Sequence, residues 1–141
     1  MTDAASLDRF VEAQTTAYSG ALAEIRRGAK RSHWMWYIFP QFGGLGHSAT
    51  ALHFAIRSLS EARAYLDHPM LGARYLECVT ALQDLPISNP VAVFGEVDAM
   101  KLKSSLTLFE AVRPSPLLAA ALDRWFDGER DDRTLRLLGN S

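Results

Sequence analysis

Apolar positions along this chain recur at helical spacing almost throughout. Phe10, Val11 and Tyr18, then Leu22 and Ile25, recur through Asp8 to Arg27, and Gly28 offers a C-terminal stop. Gly20, inside that stretch, is expected to mark a break or a close helix contact. From Ser48 a second helix is expected, with Leu52, Ile56 and Leu59 on one face, followed by Ser60 as the N-cap of a short helix from Glu61 to Asp67. His68-Pro69 reads as a helix start with proline at its first position. Leu71, Tyr75, Cys78, Val79, Leu82 and Leu85 then form the clearest apolar stripe of the chain, ended by Pro86.

Asn89-Pro90 repeats the cap-and-proline signature, with Gly95 closing a short helical turn. Asp98 to Val112 is the next long helix. Ser115-Pro116 opens another, Leu117 to Phe126, stopped by Gly128, and Asp131 or Asp132 caps a last turn or two through Leu138, ending at Gly139. No alternating strands separated by hairpin turns are visible. The tract Trp34 to Phe39 is apolar on both faces, so its periodicity fits a buried strand or a short buried helix equally well. The pattern predicts an all-α fold: one compact multihelical domain over residues 1–141, with about six to eight helices and no sheet of three or more strands.

Composition narrows the function classes. A chain of 141 residues with 48% hydrophobic content can bury one adequate core. Fifteen basic against sixteen acidic residues give a net charge of −1, so no whole-chain field favours a polyanion and non-specific nucleic-acid binding is not expected. Only Arg26, Arg27, Lys30 and Arg31 cluster, as the solvated end of a helix or as an anion site. The start, Met1-Thr2-Asp3-Ala4-Ala5-Ser6, lacks the basic and apolar runs of a signal peptide, and no segment is long enough to span a bilayer. The single cysteine, Cys78, excludes an internal disulfide and lies on an apolar stripe as an inert core thiol. A cytoplasmic monomer is expected.

Candidate chemistry concentrates in two places. The eighteen residues from Lys30 to His47 hold two of the three tryptophans, two of the four histidines and three of the nine glycines. Trp34 and Trp36 are placed either to stack on a flat ligand or to fill the core. His33 is a candidate acid or base, Lys30 an anion contact, and Gln41 a side-chain amide with a donor and an acceptor. Gly44, within Gly43-Gly44-Leu45-Gly46, permits close backbone approach, although the spacing is not that of a dinucleotide fingerprint or a phosphate loop.

The second place is the helix from Asp98. At about 100° per residue, Asp98, Lys101 and Ser105 project into the face that carries Leu102, Phe109 and Val112, while Lys103, Thr107 and Glu110 form the solvated side. Polar groups on a core-facing stripe are costly unless they are paired or line a cavity. The plain alternative has Asp98 capping the helix and pairing with Lys101, and Ser105 bonding to the preceding turn. The four histidines and one cysteine have no zinc-ligand spacing, so neither a metal nor another cofactor is expected, and no serine-hydrolase elbow exists.

These segments carry a resemblance. Phe10-Val11-Glu12-Ala13-Gln14, Lys30 through Gln41 with Gly44-Leu45-Gly46, Tyr65-Leu66 with His68-Pro69 and Leu71-Gly72, and Phe94-Gly95 with Asp98, Lys101-Leu102 and Ser104-Ser105 together resemble the bacterial domain-of-unknown-function family numbered 1810, sometimes mislabelled calpastatin. The resemblance covers essentially the whole chain and implies a small all-helical domain without an established reaction. A remoter likeness is to the NADAR (YbiA-like) group of small helical N-glycosidases. Where that group has Trp-Gly-x-Gly, this chain has Phe94-Gly95-Glu96-Val97, without the tryptophan or the second glycine.

The resulting expectation is a polar–aromatic pocket for a small nucleotide-like or phosphorylated ligand. If it hydrolyses a glycosidic bond, Asp98 would steady the oxocarbenium-like state and His33 or Lys101 would serve the leaving group. Lys30, Trp34, Trp36, Gln41, Gly44 and Ser105 would hold the ligand. The competing expectation is a non-catalytic module for a peptide or partner helix, with the aromatic tract as core.

Overall fold

The computed structural model describes residues 7–139, and the hexapeptide read above for a targeting signal lies outside them. Nine helical segments follow one another among these residues: α1 Asp8–Arg27, α2 Met35–Ile38, α3 Ala49–Phe54, α4 Leu59–Asp67, α5 Leu71–Gln83, α6 Pro90–Phe94, α7 Glu96–Val112, α8 Pro116–Phe126 and α9 Asp132–Gly139. The all-α expectation holds, with a single isolated bridge between Phe42 and Ile56 as the extended pairing present. The ambiguous aromatic tract resolves into the one-turn helix α2.

Local caps explain most boundaries. Gly28 ends α1 in the left-handed conformation, φ 72°, where a side chain would be strained. Asn89 and Ser115 accept backbone N–H groups of Ala92 and Leu118, each with proline at the first helical position. Asp131 accepts from the Thr134 N–H and so caps α9.

Several boundaries differ from the sequence reading. The helix begun by Ser48 ends at Phe54, because Ile56 leaves it to bond Gln41 and Gly43 across the bridge (Ile56 N to Gln41 O and Gly43 N to Ile56 O, both 2.9 Å). Leu52 consequently faces solvent, 58% exposed. Ser58, not Ser60, caps α4, its hydroxyl accepting from Glu61 N at 3.0 Å. At the start of α5 the cap is the His68 ring, whose Nδ1 accepts from Met70 N and Leu71 N, and Pro69 lies ahead of the first helical residue. Gly20 neither breaks α1 nor touches another element.

One core joins the segments. α7 sits at its centre, in contact with α2, α4, α6, α8 and α9, while α1 packs on α2 and α5. Phe109, on α7, is fully buried with its ring 4.6 Å from Tyr75 and 5.3 Å from Tyr65. The face of α7 read as solvated is covered by the C-terminal segment. Thr107 is fully buried, accepting from Asp131 N at 2.9 Å, and Lys103 and Glu110 pair with Glu129 and Arg130. A helix packed against neighbours over most of its length must satisfy its buried polar side chains through them, and that requirement shapes the site.

Candidate functional site

The geometry begins where α1 ends. After Gly28 the chain turns back, and Glu24, one turn earlier, becomes the acceptor for the returning loop. Its Oε1 takes Arg31 N (2.7 Å), Ser32 N (3.0 Å) and Trp34 Nε1 (2.9 Å), and its Oε2 takes the Ser32 hydroxyl (2.6 Å). Burial by itself would raise the Glu24 pKa, but these four donors outweigh it and bring the pKa down to about 2. Trp34 is thereby locked into the core, its ring edge-on to Phe94 at 6.3 Å. The loop so fixed delivers Lys30 and Trp36 to the N-terminal half of α7.

There the Asp98 carboxylate holds two ammonium groups, Lys30 Nζ at 2.8 Å and Lys101 Nζ at 3.2 Å. Lys30 also donates to Ser32 O at 2.6 Å and its side chain is only 8% exposed, whereas Lys101 is 17% exposed. Lys101 Nζ stands 3.7 Å from the centroid of the Trp36 ring, a close cation–π contact. Asp98 is pushed up by burial and down by its hydrogen bonds and charge contacts with Lys30 and Lys101, with a net lowering, so it stays ionised. It does not cap the helix. Gly95 occupies that position and Asp98 lies a turn inside, where it still complements the helix dipole.

Trp36 and Lys101 form one wall of a cleft of about 220 Å³, with Gln41, Leu45 and Gly46 from the glycine-rich turn and Met100 and Ser104 from α7 around it. Asp131 and Arg133, at the start of α9, complete its lining. The two segments singled out in the sequence therefore meet at Trp36, Gln41 and Lys101. The structure does not bring all the candidates to this cleft. His33 is exposed and lines a separate depression with Glu24, Ser32 and Tyr37. Ser105 is fully buried, its hydroxyl 2.9 Å from the Tyr75 hydroxyl rather than bonded to the preceding turn. Gly44, with φ 107°, packs beside Leu137 of α9.

Residues the sequence reading did not single out also shape the site. Glu24 anchors its loop, Ser104 takes the wall position expected of Ser105, and Arg133 arrives from the far end of the chain. Val97 and Met100, 69% and 66% exposed, form its apolar rim. No group of three or more His, Cys, Asp or Glu side chains placed to hold a metal occurs among the described residues. No helix among them is long and apolar enough to cross a membrane.

The protein is an all-helical domain with an aromatic–lysine cleft. Residues 4–138 match the model of a protein family of unknown function, DUF1810, and the chain belongs to that family. It is similar to the crystal structure of the conserved hypothetical protein Rv1873 from Mycobacterium tuberculosis. The two share 42% identity with a TM-score of 0.92, over 94% of this chain and 96% of that one. No curated protein matches the chain.

Proposed function

We propose that the cleft between α2, α7 and the start of α9 binds a small phosphorylated or nucleotide-like ligand, in a cytoplasmic, monomeric protein. The observation that carries this reading is the position of Lys101, its ammonium against the Trp36 ring and on the wall of the cleft. Two lysines share one carboxylate, so the cluster keeps one positive charge in excess, and Lys30 alone can neutralise Asp98. Lys101 is then free to turn an N–H toward an anion at low cost. Trp36 and Gln41, which also line the cleft, supply a flat apolar face and an amide for the rest of the ligand.

Glycosidic hydrolysis would need a carboxylate and a proton donor facing the same bond. Asp98 is held ionised between two lysines, and His33 lines another depression. The geometry thus supports binding, and the catalytic roles of Asp98, His33 and Lys101 remain a proposal that only turnover of a bound ligand would sustain. The second reading, a protein or peptide interaction module, is favoured by the neighbouring exposed side chains of Val91, Val97 and Met100. A thermal-shift screen of nucleotides, nucleosides and sugar phosphates separates the two. Ligands that bind the folded state raise its apparent stability, by about 2.7 kcal/mol at a hundred times their dissociation constant. A screen in which no phosphorylated compound shifts the transition removes the small-ligand reading.

A further inference from the structure

Beside the cleft runs a second depression, and Arg133 belongs to both. It is lined by Gly44, Arg133, Arg136 and Leu137. Gly44 brings the glycine-rich turn against α9 so closely that a Cβ there would lie 3.1 Å from Leu137 Cδ2. That contact leaves Arg133 and Arg136, three residues apart and therefore on one side of α9, flanking the turn. Both are exposed, and neither forms an ion pair with an acidic side chain among the described residues, unlike Arg130, which pairs with Glu110 of α7. The acidic groups nearby are Asp131, engaged in capping Thr134, and the exposed Asp132. Lys101, Arg133 and Arg136 thus form a row of cations that starts in the cleft and continues over the glycine turn.

We infer that the ligand carries two linked anionic groups, a diphosphate or an equivalent pair, with the first at Lys101 and Arg133 and the second at Arg133 and Arg136. This rests on the cleft being the ligand site proposed above and adds the chemical class of what fills it. The planar guanidinium fork suits the paired oxygens of a phosphoryl group, and a single residue shared by two depressions suits two groups joined by one bridging atom. Gly44, without a side chain, leaves the turn open along this path.

The experiment is calorimetric titration of the intact protein with inorganic orthophosphate and with pyrophosphate, repeated for Lys101→Met and Arg136→Gln. Glutamine keeps a good helix former at an exposed site, so the fold is retained. The parent is expected to bind pyrophosphate about tenfold tighter than orthophosphate or better, the factor one extra charge-assisted contact supplies. Arg136→Gln should collapse that ratio toward one. Equal affinities in the parent, or a ratio that survives Arg136→Gln, overturn the two-anion inference and leave a single-anion cleft standing. If Lys101→Met binds orthophosphate as well as the parent does, or if neither probe binds the parent, the cleft reading falls and this inference falls with it.

Discussion

Trp34 Nε1 donates to the Glu24 carboxylate at 2.9 Å inside the core, and this bond ties the end of α1 to the loop that carries the candidate site. Because four donors converge on Glu24, its charged form is favoured in the folded protein and its pKa falls from about 4.5 to about 2. A lowered folded-state pKa stabilises the fold above the unfolded value, and that contribution disappears as pH drops from about 4.5 to about 2. Discounted for solvent screening, the contribution is on the order of 1–2 kcal/mol at neutral pH. Glu24→Gln should remove much of this, since an amide oxygen in the Oε1 place still meets the three N–H groups but carries no charge, and the NH₂ in the Oε2 place would have to reverse the bond to the Ser32 hydroxyl. Urea melts of both proteins across pH 2 to 7 check it: the parent should lose stability over the acid range and the variant should be flatter there.

Gly72 meets the last turn of α4 with no space to spare. A Cβ at this position would lie 2.0 Å from the Leu66 carbonyl oxygen, a backbone atom that cannot swing aside. Gly72→Ala should therefore separate α4 from α5 at a cost of about 3 kcal/mol, the upper end for overpacking, despite alanine's better helix propensity. Circular dichroism melts should show a lower midpoint with helix content nearly unchanged.

The helical plan was legible because its signals are local. Gly28, Asn89-Pro90 and Ser115-Pro116 act on their own turns of backbone, and each stands where it was read. Errors arose where a distant partner decided. Ile56 leaves its helix for Phe42, fourteen positions earlier, and Ser58 competes with Ser60 for one cap, a choice that follows from where α3 stops. Thr107 looked solvated until α9 covered it. For the site, Trp36, Gln41 and Lys101 were visible as polar or aromatic positions on otherwise apolar stretches. Glu24 was not, since an acid beside Arg26 and Arg27 resembles a solvated face, and its donors come from the loop beyond. Arg133 and Arg136 follow no spacing that relates them to the thirties; only the docking of α9 does.

Cys78 is buried on α5 near the Tyr18 hydroxyl, and burial pushes its pKa up to about 12 against a small opposing effect of that hydroxyl. The reactive thiolate is therefore scarce at neutral pH. Alkylation by iodoacetamide at pH 8 should be slow in the native protein and should reach one equivalent rapidly in denaturant. Fast native labelling would mean that α5 opens readily from the core.

Lys30 and Lys101 share Asp98 but should respond differently to mutation. Lys30 is the more buried, and besides Asp98 it holds the Ser32 carbonyl, so Lys30→Met removes two contacts from the loop and should lower stability by about 2 kcal/mol. Lys101→Met leaves the Lys30–Asp98 pair in place, and methionine can still lie against Trp36, so the loss should stay below about 1 kcal/mol. Ligand affinity should divide the other way, with Lys101→Met costing about 1.5–3 kcal/mol of binding. Exchanging the two charges, Asp98→Lys with Lys101→Asp, tests the arrangement further. In an isolated Asp98–Lys101 pair the exchange would retain part of the stability. Here it sets a second ammonium beside Lys30 and reverses the charge order along α7, so the double variant should be less stable than Lys101→Met alone. Denaturant midpoints of the three variants, read beside their calorimetric affinities for one phosphorylated ligand from the screen, check both orders. A Lys101→Met protein that melts far below the parent yet binds that ligand equally well would make Lys101 an architectural residue and remove the centre of the proposed site.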